Sequence, residues 1–235
     1  MMRLFLGFFL FLSFFRGYSQ EDTFSIDTLH VKIDSLYRED QFYAGINYNL
    51  LIEKPSGVSQ EKISFGFSAG FLRDMPINEK RTFAIAPGIG LSFNNYLQNM
   101  AITGTSQNPI YGVVPSNVKY DKSRFEQFRV ELPIEFRWRN STPVEFQFFR
   151  IYGGFKVSYL LLDKSVFEDG NEKIVIKNNK DFEDFLYGAY LSIGYSAFNL
   201  QVYYNINSFF KSSAQIDSSP IKMNALSIGL VFYIL

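Results

Sequence analysis

From Phe42 to Leu235, apolar and polar side chains alternate with a period of two in one segment after another. That period sends successive side chains to opposite faces of a strand, so it predicts β-structure and not helix. The run FRVELPIEFRW carries the pattern furthest: Phe128, Val130, Leu132, Ile134, Phe136 and Trp138 share one face. Arg129, Glu131, Glu135 and Arg137 share the other, together with Pro133. The same alternation recurs in QFYAGINYNLL from Gln41, ISFGFSAGF from Ile63, FAIAPGIGLSF from Phe83 and FRIYGGFKVSYL from Phe149. It returns in FLYGAYLSIGYSA from Phe185, LQVYYNINSF from Leu200 and LSIGLVFYIL from Leu226. These make about eight strands, most near the ~9–11 residues that cross a bilayer at a tilt.

The connections alternate in length. IEKPSGVSQEK, the stretch from Asn94 to Arg124, DKSVFEDGNEKIVIKNNKD and KSSAQIDSSP are long; RDMPINEKR, NSTPVE and FN are shorter. Short turns at one end and long loops at the other predict an all-β fold, a transmembrane antiparallel up-and-down barrel with both termini periplasmic. The polar face is rich in Gly, Ser and Asn, which suit a narrow interior, whereas the bulky aromatic face suits lipid. Arg129, Glu131, Glu135 and Arg137 then point into the lumen, where charges need partners. Arg150 and Lys156 of the next strand face the same way and are the expected partners of Glu131 and Glu135, in a register that the sequence leaves open. Pro133 lacks a ladder donor and predicts a bulge. A lumen of this size is expected to be filled by side chains, with a selectivity filter in a small pore as the alternative.

At the N-terminus, Arg3 precedes about a dozen mostly apolar residues, and Gly17 and Ser19 stand where a signal peptidase needs small residues before Gln20. The run is short of the ~20 residues of a spanning helix. Three regions follow: a signal peptide at 1–19, a polar periplasmic extension at 20–40 and a barrel domain at 41–235, with the cell outer membrane as destination. Composition fits this assignment. Phe (27) and Tyr (15) raise the aromatic share to 18%, yet mean hydropathy is only -0.03, so much apolar surface is offset by polar side chains. Lys plus Arg equals Asp plus Glu at 23 each, which offers no global attraction for nucleic acid. Cysteine is absent, which excludes thiol chemistry.

Little here resembles a catalytic site. The single histidine, His30, precedes the first strand, so no His-based triad can form at an outer rim. In FEDGNEK, Glu168, Asp169 and Glu172 crowd one loop, but Asp169-Gly170 is a hairpin-turn signal and the spacing matches no twelve-residue calcium loop. Gly88, Gly90 and Gly154 lie inside strands, where they make room in the lumen instead of cradling phosphate. No catalytic residue, cofactor or metal is expected. The stretch from Asn94 to Arg124 carries Tyr96, Ile110, Tyr111, Val113 and Val114, read as exposed and open either to partner docking or to packing above the barrel.

FLRDMPINEKRTFAIAPGIGLSFNNY (71–96), SRFEQFRVELPIEFRWRNSTP (123–143) and RIYGGFKVSYLL (150–161) resemble the PorT family of outer-membrane β-barrel proteins. The likeness runs from about Phe42 to Leu235. It implies a non-enzymatic accessory or structural role in protein export and cell-surface assembly of the type IX secretion kind, with secretion-system proteins as partners. A solute pore and an outer-leaflet lipid-modifying enzyme are the alternatives. Outer-membrane lipid and lipopolysaccharide would surround the barrel, and the barrel-assembly machinery would meet it during biogenesis. The C-terminal Gly229, Phe232, Tyr233, Ile234 and Leu235 approximate that machinery's recognition signal, departing at Ile228 and by ending on Leu235.

N-terminal sequencing of the protein recovered from the outer-membrane fraction should begin at Gln20. Retention of Met1, or recovery as a soluble periplasmic species, would refute the export reading.

Overall fold

A computed structural model describes residues 40–60, 62–140, 148–170 and 172–234. The signal segment, nearly all of the N-terminal extension with His30, residues 141–147 and Leu235 lie outside these residues.

Eight long strands form the wall: β1 (Gln41–Ile52), β2 (Phe65–Leu72), β3 (Phe83–Leu97), β4 (Lys122–Arg139), β5 (Phe149–Glu168), β6 (Phe185–Tyr195), β7 (Phe198–Asn205) and β8 (Asn224–Ile234). Each pairs antiparallel with the next in sequence. β8 pairs back onto β1 from Phe42↔Ile234 to Ile52↔Asn224. The sheet therefore closes, and no long strand is left with an unpaired edge, as a bilayer requires. No helix occurs among the described residues.

The alternation places side chains as the sequence predicts. Phe42, Ile46, Phe67, Ile89, Leu132, Ile134, Phe155 and Leu200 are exposed on the outside. Tyr43, Asn49, Ser92, Glu131, Tyr152, Ser192 and Ser227 are buried within. Glycine is needed where tyrosines cross the lumen: a methyl group on Gly90 would overlap the Tyr43 hydroxyl, and one on Gly188 the Tyr203 ring. A bulkier residue at either position would have to displace an aromatic ring from a closed interior.

Four sequence expectations change. Much of the stretch from Asn94 to Arg124 is strand: β3 runs on to Leu97, and Met100–Gly104 pairs with Pro109–Val113 as a hairpin. The expected loop from Asp163 to Asp181 is also largely strand, because β5 continues to Glu168 and Lys173–Lys177 folds back onto it. Its turn contains Gly170 at φ 88°, a conformation that glycine adopts without strain. Extending strands beyond the wall pairs backbone groups that a loose loop would leave to water. Third, Pro133 makes no bulge. It stays in register opposite Lys156. On its other side the ladder to β3 lapses between Pro87↔Ile134 and Gly90↔Glu131, where the proline has no N–H to give. The bulge falls between Phe128 and Arg129, where Leu161 is the unpaired extra residue of β5. The two-residue turn before β7 is likewise Ser196-Ala197, with Phe198 already paired to Tyr195.

Asp40, Ile234, the strand ends Arg139 and Phe149 and the connections 73–82 and 196–197 share one end of the barrel, and the described residues of 53–64, 98–121, 169–184 and 206–223 share the other. The orientation read from the sequence puts the longer set outside the cell. Single cysteines at Ile110, which is 63% exposed, and at Gly170 should then react with an impermeant maleimide on intact cells, while one at Glu79 should not. Labelling at Glu79 alone would invert the topology.

Candidate functional site

The lumen holds the densest chemistry in the molecule. Alternation along β4 turns Gln127, Arg129, Glu131, Glu135, Arg137 and Arg139 inward, and all are buried. Toward the end that carries the termini, Arg137 donates from Nε to Glu135 Oε2 at 2.8 Å and from Nη1 to Asp74 Oδ1 at 3.0 Å. Arg139 grips both oxygens of Asp74 at 2.8 Å, and its Nε reaches the Arg81 carbonyl at 3.1 Å. The other Glu135 oxygen accepts from the hydroxyls of Tyr190 at 3.1 Å and Tyr233 at 3.0 Å. Both carboxylates are thus met by hydrogen bonds to charged donors, the strong kind. Burial alone would raise the Asp74 carboxyl, but the Arg139 hydrogen bonds and charge, followed by those of Arg137, outweigh it and hold the group below its ordinary value.

One layer along the axis, Lys156 forms an ion pair with Glu131, Nζ to Oε2 2.8 Å, and its ammonium lies over the Tyr203 ring at 5.0 Å and the Tyr190 ring at 5.5 Å. Arg129 takes neutral partners: Gln127 Oε1 at 3.1 Å and the carbonyls of Glu183 and Asp184 at 3.0 and 3.3 Å. Arg150 departs from expectation. Register sets it opposite Arg139 and not near Glu135. Among the described residues it makes no ion pair; its guanidinium instead lies 4.4 Å from the Phe148 ring centre, with Tyr152 and Tyr233 at 5.7 and 5.9 Å. Aromatic faces supply the negative potential that a carboxylate would otherwise provide.

Asp74, Arg139, Tyr190 and Tyr233 belong to this cluster and escaped the sequence reading. Arg139 lies two residues past Arg137, so continued alternation would have found it. Asp74 sits in a turn, where no period points anywhere. Tyr233, read as part of the C-terminal signal, faces inward. Its neighbours Phe232 and Ile234 face out, with Phe232 packed 5.1 Å from Phe198, and Gly229 lies close over Asn47.

The opposite end is closed by a different chemistry. Phe125 is fully buried, its ring 4.8 Å from Tyr96 and within 6 Å of Phe182, Phe209 and Phe210. Val58, Met100, Ile102, Ile176, Ile221 and Met223 complete the cluster, so all four long connections contribute. Tyr96, Tyr111 and Val114, read as exposed, are therefore buried; Val113 is partly covered, and Ile110 alone of the five stands fully exposed. The stretch packs on itself because four connections converge over one mouth and hide apolar surface from water. Tyr111 closes a polar knot, accepting from Asn179 Nδ2 at 3.0 Å and lying 3.2 Å from Asp181 Oδ2. Burial above all pushes its hydroxyl pKa up, so it stays protonated.

Between the two plugs lie a cavity of about 40 Å³ lined by Asn47, Ser92, Glu131, Lys156 and Tyr203, and one of about 10 Å³ beside Tyr43 and Glu135. Such volumes hold one or a few waters. Among the described residues no group of His, Asp and Glu side chains forms a metal site.

Residues 18–211 match the outer membrane protein beta-barrel domain family. No curated protein matches the chain. Among solved structures, Ail, the attachment invasion locus protein of Yersinia pestis, aligns at 14% identity and TM-score 0.40, over 85% of this chain and 100% of that one. A triple mutant of the Rh. blastica porin aligns at 6% identity and TM-score 0.21, over 84% of this chain and 100% of that one.

Removing one partner of a buried ion pair typically costs about 3–5 kcal/mol. Glu135→Ala should therefore lower stability in urea unfolding from lipid vesicles more than the outward-facing Leu132→Ala. In double-mutant cycles Glu135 should couple to Arg137 by about 1–3 kcal/mol and to Arg150 by clearly less. A larger coupling to Arg150 would refute the pairing described here.

Proposed function

Because the chain belongs to the outer membrane protein beta-barrel domain family, we propose that it serves there as a sealed, non-enzymatic scaffold, an accessory component of protein export to the cell surface. The observation that carries this reading is the double closure of the lumen. Salt-bridged arginines and carboxylates fill one end, and an aromatic cluster from four connections covers the other. A barrel built this way offers its outer wall, its rims and its exposed loop residues to partners, and not its interior. That division of labour suits a component that docks within a larger assembly.

Placement beside the PorT proteins, and hence near type IX secretion, is supported by the stretches 71–96, 123–143 and 150–161. These coincide with the structural heart of the barrel: β3, most of β4 and the first half of β5. The solute-pore alternative would need a continuous aqueous path, whereas the lumen cavities total only a few waters' worth of space. An outer-leaflet enzyme would need a nucleophile with an activating base, and the chain's one histidine precedes the first strand.

Purified protein in a planar bilayer should show no sustained single-channel openings at neutral pH; steady openings would restore the pore reading. Affinity purification of the tagged protein from native membranes should bring down components of a surface-export machine. Recovery of the barrel alone after gentle crosslinking would refute the accessory role.

A further inference from the structure

Neither the lumen nor the cap accounts for a groove in the outer wall. At the β4–β5 bulge Phe128 opposes Leu162, Arg129 opposes Leu160, and Leu161 is left over. The extra residue makes Leu161 and Leu162 both face outward, 44% and 61% exposed. Two consecutive leucines on the outside interrupt the alternation of β5. Beside them a depression of about 510 Å³ opens, with Phe93, Phe128 and Leu162 among its lining residues.

The rim of the groove toward the long connections is cationic. Lys164 and Lys177 line it, and the ladder sets them directly opposite each other. Like charges facing each other across a strand pair repel and destabilise it. The nearest acid on that face, Glu126, stands opposite Lys164 but is bound to Arg124 at 2.7 Å. Asp163 turns inward, where it accepts the Asn179 backbone N–H at 3.0 Å. Neither lysine has an ion-pair partner among the described residues. Arg124, Lys164 and Lys177 thus face outward against one carboxylate, directly past an apolar floor that runs on into the lipid-facing wall.

An apolar groove topped by unneutralised lysines complements an anionic amphiphile. We propose that the groove binds lipid A, the phosphorylated anchor of lipopolysaccharide, with an acyl chain against Phe93, Phe128 and Leu162 and a phosphate between Lys164 and Lys177. The phosphate removes the repulsion between the lysines, and the bulge makes the wall recede where the chain lies. This assignment rests on the membrane reading and on the orientation with the long connections outward, which brings the groove to the leaflet where lipid A resides.

The full-length protein, refolded into phosphatidylcholine nanodiscs, is the system for the test. Folding there, scored by the heat-sensitive shift in gel mobility, checks the membrane reading by itself before any lipid A is present. Titration with lipid A, followed by native mass spectrometry, should then show one saturable site. The K164Q/K177Q double variant should fold equally well and bind lipid A about tenfold more weakly, the effect expected of two lysines near a lipid phosphate. A K119Q/K222Q variant, with exposed lysines removed elsewhere, should bind as the native protein does. Equal loss in both variants would reduce the effect to general charge and overturn the proposal. So would equal affinity for phosphatidylglycerol, or lipid A binding that ignores K164Q/K177Q in a barrel that has folded.

Discussion

Closure of the sheet is the constraint from which the rest of this structure follows. Once β8 pairs with β1, the sheet has no open edge to leave a row of backbone donors and acceptors unpaired, which is what permits a β-structure to sit in hydrocarbon. Closure at eight strands also sets a radius at which facing side chains meet across the lumen. The interior therefore obeys the packing rules of a protein core, although half its side chains are polar. Tyr43 and Tyr203 cross it only because Gly90 and Gly188 carry no side chain to meet them.

The same narrowness governs the charges. A carboxylate in a wide channel could remain hydrated, but Glu135 and Asp74 are cut off from solvent and must be neutralised by neighbours. Two arginines, two tyrosine hydroxyls and a backbone carbonyl complete the arrangement. A network of this kind adds little net stability relative to an apolar core, because desolvation offsets most of the attraction. What it supplies is selectivity of register. Sliding β4 by one residue would carry Arg129, Glu131, Glu135 and Arg137 out to lipid and bring Leu132 and Ile134 inside, so the charged face ties β4 to a single alignment.

The two ends solve the same problem with opposite chemistry. At the termini end, among the described residues, the wall's own arginines and Asp74 close the lumen. At the other end four long connections can meet, and they bury aromatic surface around Phe125. The polar knot of Tyr111, Asn179 and Asp181 gives that lid fixed partners within an otherwise greasy cluster. With the lumen shut at both ends, the surfaces left for function are the outer wall and the rims. That is where the bulge-born groove with Lys164 and Lys177 lies.

Local chemistry determined a good deal here. A period of two can place side chains only on alternate faces, so FRVELPIEFRW by itself established a strand with one charged and one apolar face, and the small polar residues of the other segments turned the charged face inward. Recurrence of the pattern across connections of alternating length was enough for an antiparallel barrel of about eight strands. Pairing across the lumen depended on register and on turns, neither of which is written in any one segment. Arg150 was expected to partner Glu131 or Glu135 in an open register, yet the ladder sets it opposite Arg139, four positions along β4 from Glu135, and aromatic rings take the carboxylate's place. Asp74 lies in a turn without periodicity, and only the folded chain carries it to Arg137 and Arg139. Tyr96, Tyr111 and Val114 read as loop residues on show because burial among four connections is a long-range property. Single strands announce their faces through covalent geometry, whereas partners on different strands are chosen by closure, and closure exists only in the whole barrel.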